Sequence, residues 1–119
     1  MPKVPLEGIR VIAIESGAVG PDMTRALGEL GAEVIKIERR GNLDMMRTAL
    51  GPDIHRSGGF NQSNRNKRSF GVNLRTEKGK EIVRRLIKMS DILVDNWRGG
   101  VVEGFGLGYE EVCQFNRGI

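Results

Sequence analysis

Residues 9–41 read IRVIAIESGAVGPDMTRALGELGAEVIKIERRG. The first six are apolar apart from Arg10, a run of the length and character of a buried strand. Gly17 and Gly20 follow, and then Pro21, whose fixed φ suits the first turn of a helix. Met23, Ala26, Leu27 and Leu30 recur at i, i+3, i+4 and i+7, which predicts the buried face of that helix. Gly31 stands where a left-handed cap ends it. AEVIKIE (32–38) is then a second apolar strand. Strand, helix and strand in about 30 residues is the size of a βαβ crossover.

The pattern repeats further along. SFGVNL (69–74) reads as a strand, Thr76 as an N-cap, and EKGKEIVRRLIKM (77–89) as a helix burying Ile82, Val83, Leu86 and Ile87. DILVD (91–95) is a further apolar strand. The glycine-rich stretch 96–108 has room for one helical turn, and YEEVCQFN (109–116) for a last short helix. Between the halves, residues 41–65 mix Gly, Pro, Asn and Ser with isolated apolar residues. They predict a loop, with a short helix near Asp44–Ala49. The fold expected is α/β: a Rossmann-like parallel sheet with helices on both faces.

The composition narrows the function classes. The 119 residues are one domain's worth, 39% hydrophobic and 29% charged, with a net charge of +4. A basic balance favours anionic partners without choosing among them. Cys113 is the one cysteine, so no internal disulfide forms and a reducing compartment fits. The N-terminus carries no signal-peptide core, and no apolar run approaches the ~20 residues of a membrane span. The expected setting is cytoplasmic, away from membranes. His55 is the one histidine, which excludes a His-based triad and zinc-type Cys/His spacing, so no metal is expected.

Four loops at strand boundaries could carry chemistry. ESGAVGP (15–21) follows the first strand, where helix N–H groups favour phosphate. It is only G-x-x-G, and a tight strand-to-helix turn explains it equally. Glu38 follows Gly17 by 21 positions, the spacing of a ribose-binding acid. Arg39 and Arg40 come next and could pair a ribose phosphate, as in NADP or coenzyme A. A solvated strand end is the plain alternative. NRNKRS (64–69) could meet phosphates or be a solvated basic turn; without interleaved aromatics it is no platform for nucleic acid. Asn96 and Trp97 end the last strand, where an indole could stack on adenine or cover the core edge. Three of the four loops follow strands and so meet at one edge of a parallel sheet, which favours a nucleotide.

The order of these motifs resembles one family. PLEGIRVIAIE at the start, LGAEVIKIERRG (30–41), NRNKRSFGVNLRTEKGKEIVRRLI (64–87) and SDILVDNWRGGVVEGFGLGYEEV (90–112) resemble the N-terminal part of the class III coenzyme A-transferases. That family includes formyl-CoA and carnitine CoA-transferases and α-methylacyl-CoA racemases. The resemblance implies that residues 1–119 are the N-terminal part of a large domain that binds coenzyme A along the sheet's carboxyl edge. Ala18 and Val19 would line the first loop, and Arg39 would meet the adenosine end. Val72, Asn73, Leu74 and Arg75 would run beside adenine and ribose; Asn96, Trp97 and Arg98 would complete the wall. Glu38 and Arg40 are left for fold-supporting salt links.

The resemblance also implies an activity: moving CoA between an acyl-CoA thioester and a carboxylic acid through an aspartyl intermediate. The family's catalytic aspartate would lie beyond Ile119, as would the small second domain, so these residues alone are expected to be inactive. Formyl-CoA transferases carry His-Val-Gln-Ala where Ser16-Gly17-Ala18-Val19 stands here. Racemase activity, a non-catalytic CoA-binding module pairing with a longer homologue, and an NADP-dependent Rossmann protein are the alternatives. Exposed apolar edges of an incomplete sheet predict self-association, in keeping with the family's homo-oligomers.

Overall fold

The computed structural model describes residues 4–49, 51 and 53–119. Strands β1 (Arg10–Ile14), β2 (Glu33–Glu38), β3 (Lys67–Gly71) and β4 (Ile92–Asp95) form one parallel sheet in the order β3-β2-β1-β4. Helix α1 (Val19–Glu29) links β1 to β2. Helix α2 (Gly58–Asn64) precedes β3, α3 (Glu77–Lys88) links β3 to β4, and α4 (Val101–Gly104) and α5 (Tyr109–Phe115) follow β4. The chain builds outward from β1 to β3 and then returns to the other side of β1. The crevice at that reversal is where open α/β sheets receive ligands.

β1 is buried on both faces, and its alternating side chains feed two separate layers. Ile12 and Ile14 pack with Ile37, Leu74, Val83, Ile87, Val102, Leu107 and Val112, so α3, α4 and α5 cover that face. Val11 and Ala13 pack with Ala32, Val34 and Val94, with Leu27 of α1 against them on the opposite face. Helices therefore lie on both sides, as expected. α3 follows its sequence pattern: Thr76 caps it through the Gly79 N–H, Val83 and Ile87 are buried, and Ile82 and Leu86 are half-buried.

Four expectations are corrected. β3 runs over residues 67–71 rather than 69–74, because after the Val72 N–H donates to the Glu38 carbonyl (2.8 Å) the chain turns away toward α3. Residues 58–64, read as loop, are helical: the Ser57 side chain accepts from the Phe60 N–H and starts α2 despite two glycines. The short helix near residue 44 is a single 3-10 turn, Met45–Arg47, capped by Asp44. The face of α1 is also rotated. Gly20, Pro21 and Thr24 are buried, whereas Met23 (51%) and Leu30 (46%) are exposed and Ala26 is exposed with them. The helix turns a threonine inward because a buried carboxylate, Glu15, lies beneath it: the Thr24 hydroxyl lies 2.8 and 2.9 Å from the two Glu15 carboxylate oxygens.

Candidate functional site

A pocket of about 340 Å³ opens at the carboxyl edge of the sheet. Its floor is apolar, made by Ile14, Ile37, Val72, Leu74, Val101 and Phe105, and Arg39, Arg75 and Trp97 also line it. The ends of β1 and β2, the loop after β2, the β3–α3 loop, the loop after β4 and the α4 segment supply these residues. Trp97 meets Phe105 edge to face, with centroids 6.1 Å apart and planes at 66°, which holds the indole as one wall. Two guanidinium groups, a flat ring and an apolar floor can receive a phosphorylated adenosine.

The structure brings six of the ten candidate residues to this pocket: Arg39, Val72, Asn73, Leu74, Arg75 and Trp97. Four do not line it. Ala18 and Val19 lie exposed where α1 starts, Val19 at 80%. Arg98 is exposed beyond the strand end. Asn96 ties loops together: its Oδ1 accepts from the Ser16 N–H (3.0 Å), and its Nδ2 donates to the Ser16 carbonyl (2.8 Å). Gly20 packs directly on it, since a Cβ there would lie 2.8 Å from Asn96 Cγ.

Beneath the pocket lies a buried charge cluster that sequence reasoning missed. Lys36, on β2, is 1% exposed and pairs with Asp44 Oδ2 at 2.8 Å and Glu15 Oε1 at 3.6 Å. Lys67 donates to Glu15 Oε1, the Pro21 carbonyl and Asn64 Oδ1 at 2.8, 2.8 and 3.0 Å. Arg47 grips Glu38 with both ends of its fork, at 2.9 and 2.7 Å, and its guanidinium carbon lies 3.6 Å from the Phe60 ring centroid. Glu38 is thus the fold-supporting salt link expected, not a ribose acid. Arg40 is exposed and makes no ion pair among the described residues. Nor is NRNKRS a wholly solvated turn, because Lys67 points inward and Arg65 pairs with Glu29. A lysine in mid-strand was the one signal that could have found this cluster.

Proton affinities follow from the pairing. Burial works to raise the pKa of Asp44, but Lys36 and the N–H groups of Met46 and Gly17 outweigh it and hold the carboxyl below its ordinary value. At Glu38 burial is again overcome, by the Arg47 guanidinium and the Asp44 N–H. Lys67 moves down as well: burial disfavours its ammonium, and the Glu15 carboxylate offsets only part of that.

Sequence and structure comparisons place this geometry among known proteins. A family model described as CoA-transferase family III matches residues 6–119. Human succinyl-CoA:glutarate CoA-transferase is 40% identical over 109 residues, covering 91% of this chain and 25% of that protein. Formyl-CoA:oxalate CoA-transferase of Escherichia coli O139:H28 is 40% identical over 114 residues, covering 94% and 27%. The crystal structure of Rv3272 from M. tuberculosis superposes with a TM-score of 0.88 at 34% identity, covering 99% of this chain and 32% of the other. The chain spans about a quarter of the length of the curated relatives it matches.

Proposed function

This chain belongs to CoA-transferase family III, and from that premise we propose that its pocket receives the adenosine end of coenzyme A. The observation that carries the reading is the pairing of Arg39 and Arg75 with Trp97 around one apolar floor at the sheet's switch point. Adenine would lie on the floor beside the indole, and the two arginines would take the ribose phosphate through parallel N–H···O contacts. On this reading Val72, Asn73 and Leu74 flank the nucleoside, Asn96 holds the first loop in position, and Ala18, Val19 and Arg98 lie along the path of the pantetheine arm. CoA is here a substrate and carrier, moved between an acyl-CoA thioester and a carboxylic acid.

The nucleophilic carboxylate of such a transfer is proposed to lie outside these 119 residues. It needs a lone pair free to attack an acyl carbon. Asp44 is the one aspartate among the described residues lining the pocket, and it is 4% exposed and committed to Lys36, Gly17 and Met46. Glu15 and Glu38 are bound in the same way. A thioester exchange assay on the purified chain should show no turnover, and turnover would overturn this part. For the site itself, calorimetric titration should rank CoA above dephospho-CoA, which lacks the ribose phosphate, and above NADP. Equal affinities for CoA and dephospho-CoA would remove the arginines from the proposal.

A further inference from the structure

The glycine turn after β1 has the shape of a phosphate cradle and is already filled by the protein itself. Gly17 adopts φ +82°, and its N–H donates to Asp44 Oδ1 at 3.0 Å. The neighbouring Ser16 N–H donates to Asn96 Oδ1, also at 3.0 Å. From the other side, the Met45 N–H donates to Ser16 Oγ at 3.2 Å. The second oxygen of Asp44 meets the Lys36 ammonium at 2.8 Å, and both side chains are almost wholly buried. An anion on a glycine N–H just before a helix N-terminus, with a lysine behind it, is the kind of arrangement a phosphoryl group makes in nucleotide-binding turns. Here the anion is a carboxylate supplied from 27 residues along the chain.

We propose that Asp44 is a specificity-determining residue, a built-in anion that occupies the phosphate position of the first turn and excludes a dinucleotide's diphosphate from it. A diphosphate arriving there would meet a fixed negative charge and no N–H of residues 16 or 17 left to donate. The first turn is thereby closed to phosphate, and the ribose phosphate of an entering ligand is left to Arg39 and Arg75, which line the same pocket. The inference rests on the reading of this edge as a phosphorylated-nucleotide site, but it concerns a different loop and a different class of ligand.

The test uses the whole chain and inorganic pyrophosphate as the probe. Asp44→Ser removes the carboxylate while leaving Lys36 and the Gly17 N–H behind, and should bind pyrophosphate at least about tenfold more tightly than the native chain. A folded Asp44→Ser chain with unchanged pyrophosphate affinity would overturn the proposal. Should that variant not fold, Lys36→Met combined with Asp44→Ser also removes the ammonium that Asp44 neutralises and still opens the turn; the same comparison then decides. On the native chain, the amide resonances of Ser16 and Gly17 should stay in place as pyrophosphate is added, and a saturating shift at Gly17 would also overturn it. Failure of CoA to bind the native chain would sink the CoA reading alone, because the pyrophosphate comparison does not involve CoA.

Discussion

Glu38 and Arg39 are consecutive, yet their charges serve different ends. Glu38 is 7% exposed, with both oxygens on Arg47, whereas Arg39 reaches the pocket and, among the described residues, its side chain has only a long 3.5 Å contact to the Gly41 carbonyl to hold it. A guanidinium so lightly tethered inside the protein is available to a ligand, and Arg40 beside it faces solvent outside the pocket lining. Arg39→Ala should therefore weaken CoA binding by about tenfold or more, the weight of a charge-assisted contact, while Arg40→Ala leaves it within about twofold. Equal losses in a titration would mean that both act only through general charge. The sequence separated neither Glu38 from a ribose acid nor Lys67 from a solvated turn. Their partners stand outside any periodic element, Arg47 in the aperiodic loop nine positions on and Glu15 52 positions away, and no spacing rule encodes such pairs.

At the scale of elements, apolar runs and most helix positions were legible. The apolar runs that make β1 and β2 strands, and the i, i+4 spacing of Val83 and Ile87 on α3, are visible in one dimension. Helix α1 was placed but its face was rotated: Leu27 packs inward as expected, while Glu15 and the close packing of Gly20 and Gly28, rather than Met23 and Leu30, set the rest of its buried face. Helix α2 was missed because Gly58 and Gly59 have low helix propensity and the Ser57 cap, which also donates to the Met46 carbonyl, decides the matter. The same conflict between local and tertiary preference gives a prediction at Gly79. Glycine in a helix is ordinarily about 1 kcal/mol worse than alanine. A Cβ at this position, however, would sit 2.0 Å from the Asn73 carbonyl oxygen, a backbone atom of the loop that carries Val72 to Arg75 into the pocket. Gly79→Ala should lower the urea midpoint and weaken CoA binding together. A stabilised chain with unchanged affinity would show that the loop yields freely.

For the molecule as a whole, the buried cluster joins β1, β2, β3, α1 and the loop after β2, so its protonation state bears on the entire carboxyl edge. Glu38 and Asp44 both have native pKa values below their ordinary 4.5 and 3.8. The unfolded chain then takes up protons first as pH falls, so the stabilisation from these two acids is complete above those values and is lost as pH drops through the native ones. Glu29, Glu33 and Glu77 are held down too, but their partners lie toward the surface, where solvent screens the effect. Chemical denaturation should give a urea midpoint that is flat between about pH 6 and 8 and falls steeply below about pH 4.5. Combining Glu38→Gln with Arg47→Met removes one acid and its cation together, so no buried charge is left without a partner. Replacing a whole buried pair is often close to neutral near pH 7. That double variant should keep most of its stability at neutral pH and lose less of it on acidification. If its acid limb matched the native one in slope and position, the pH dependence would not come from Glu38 and its Arg47 pair.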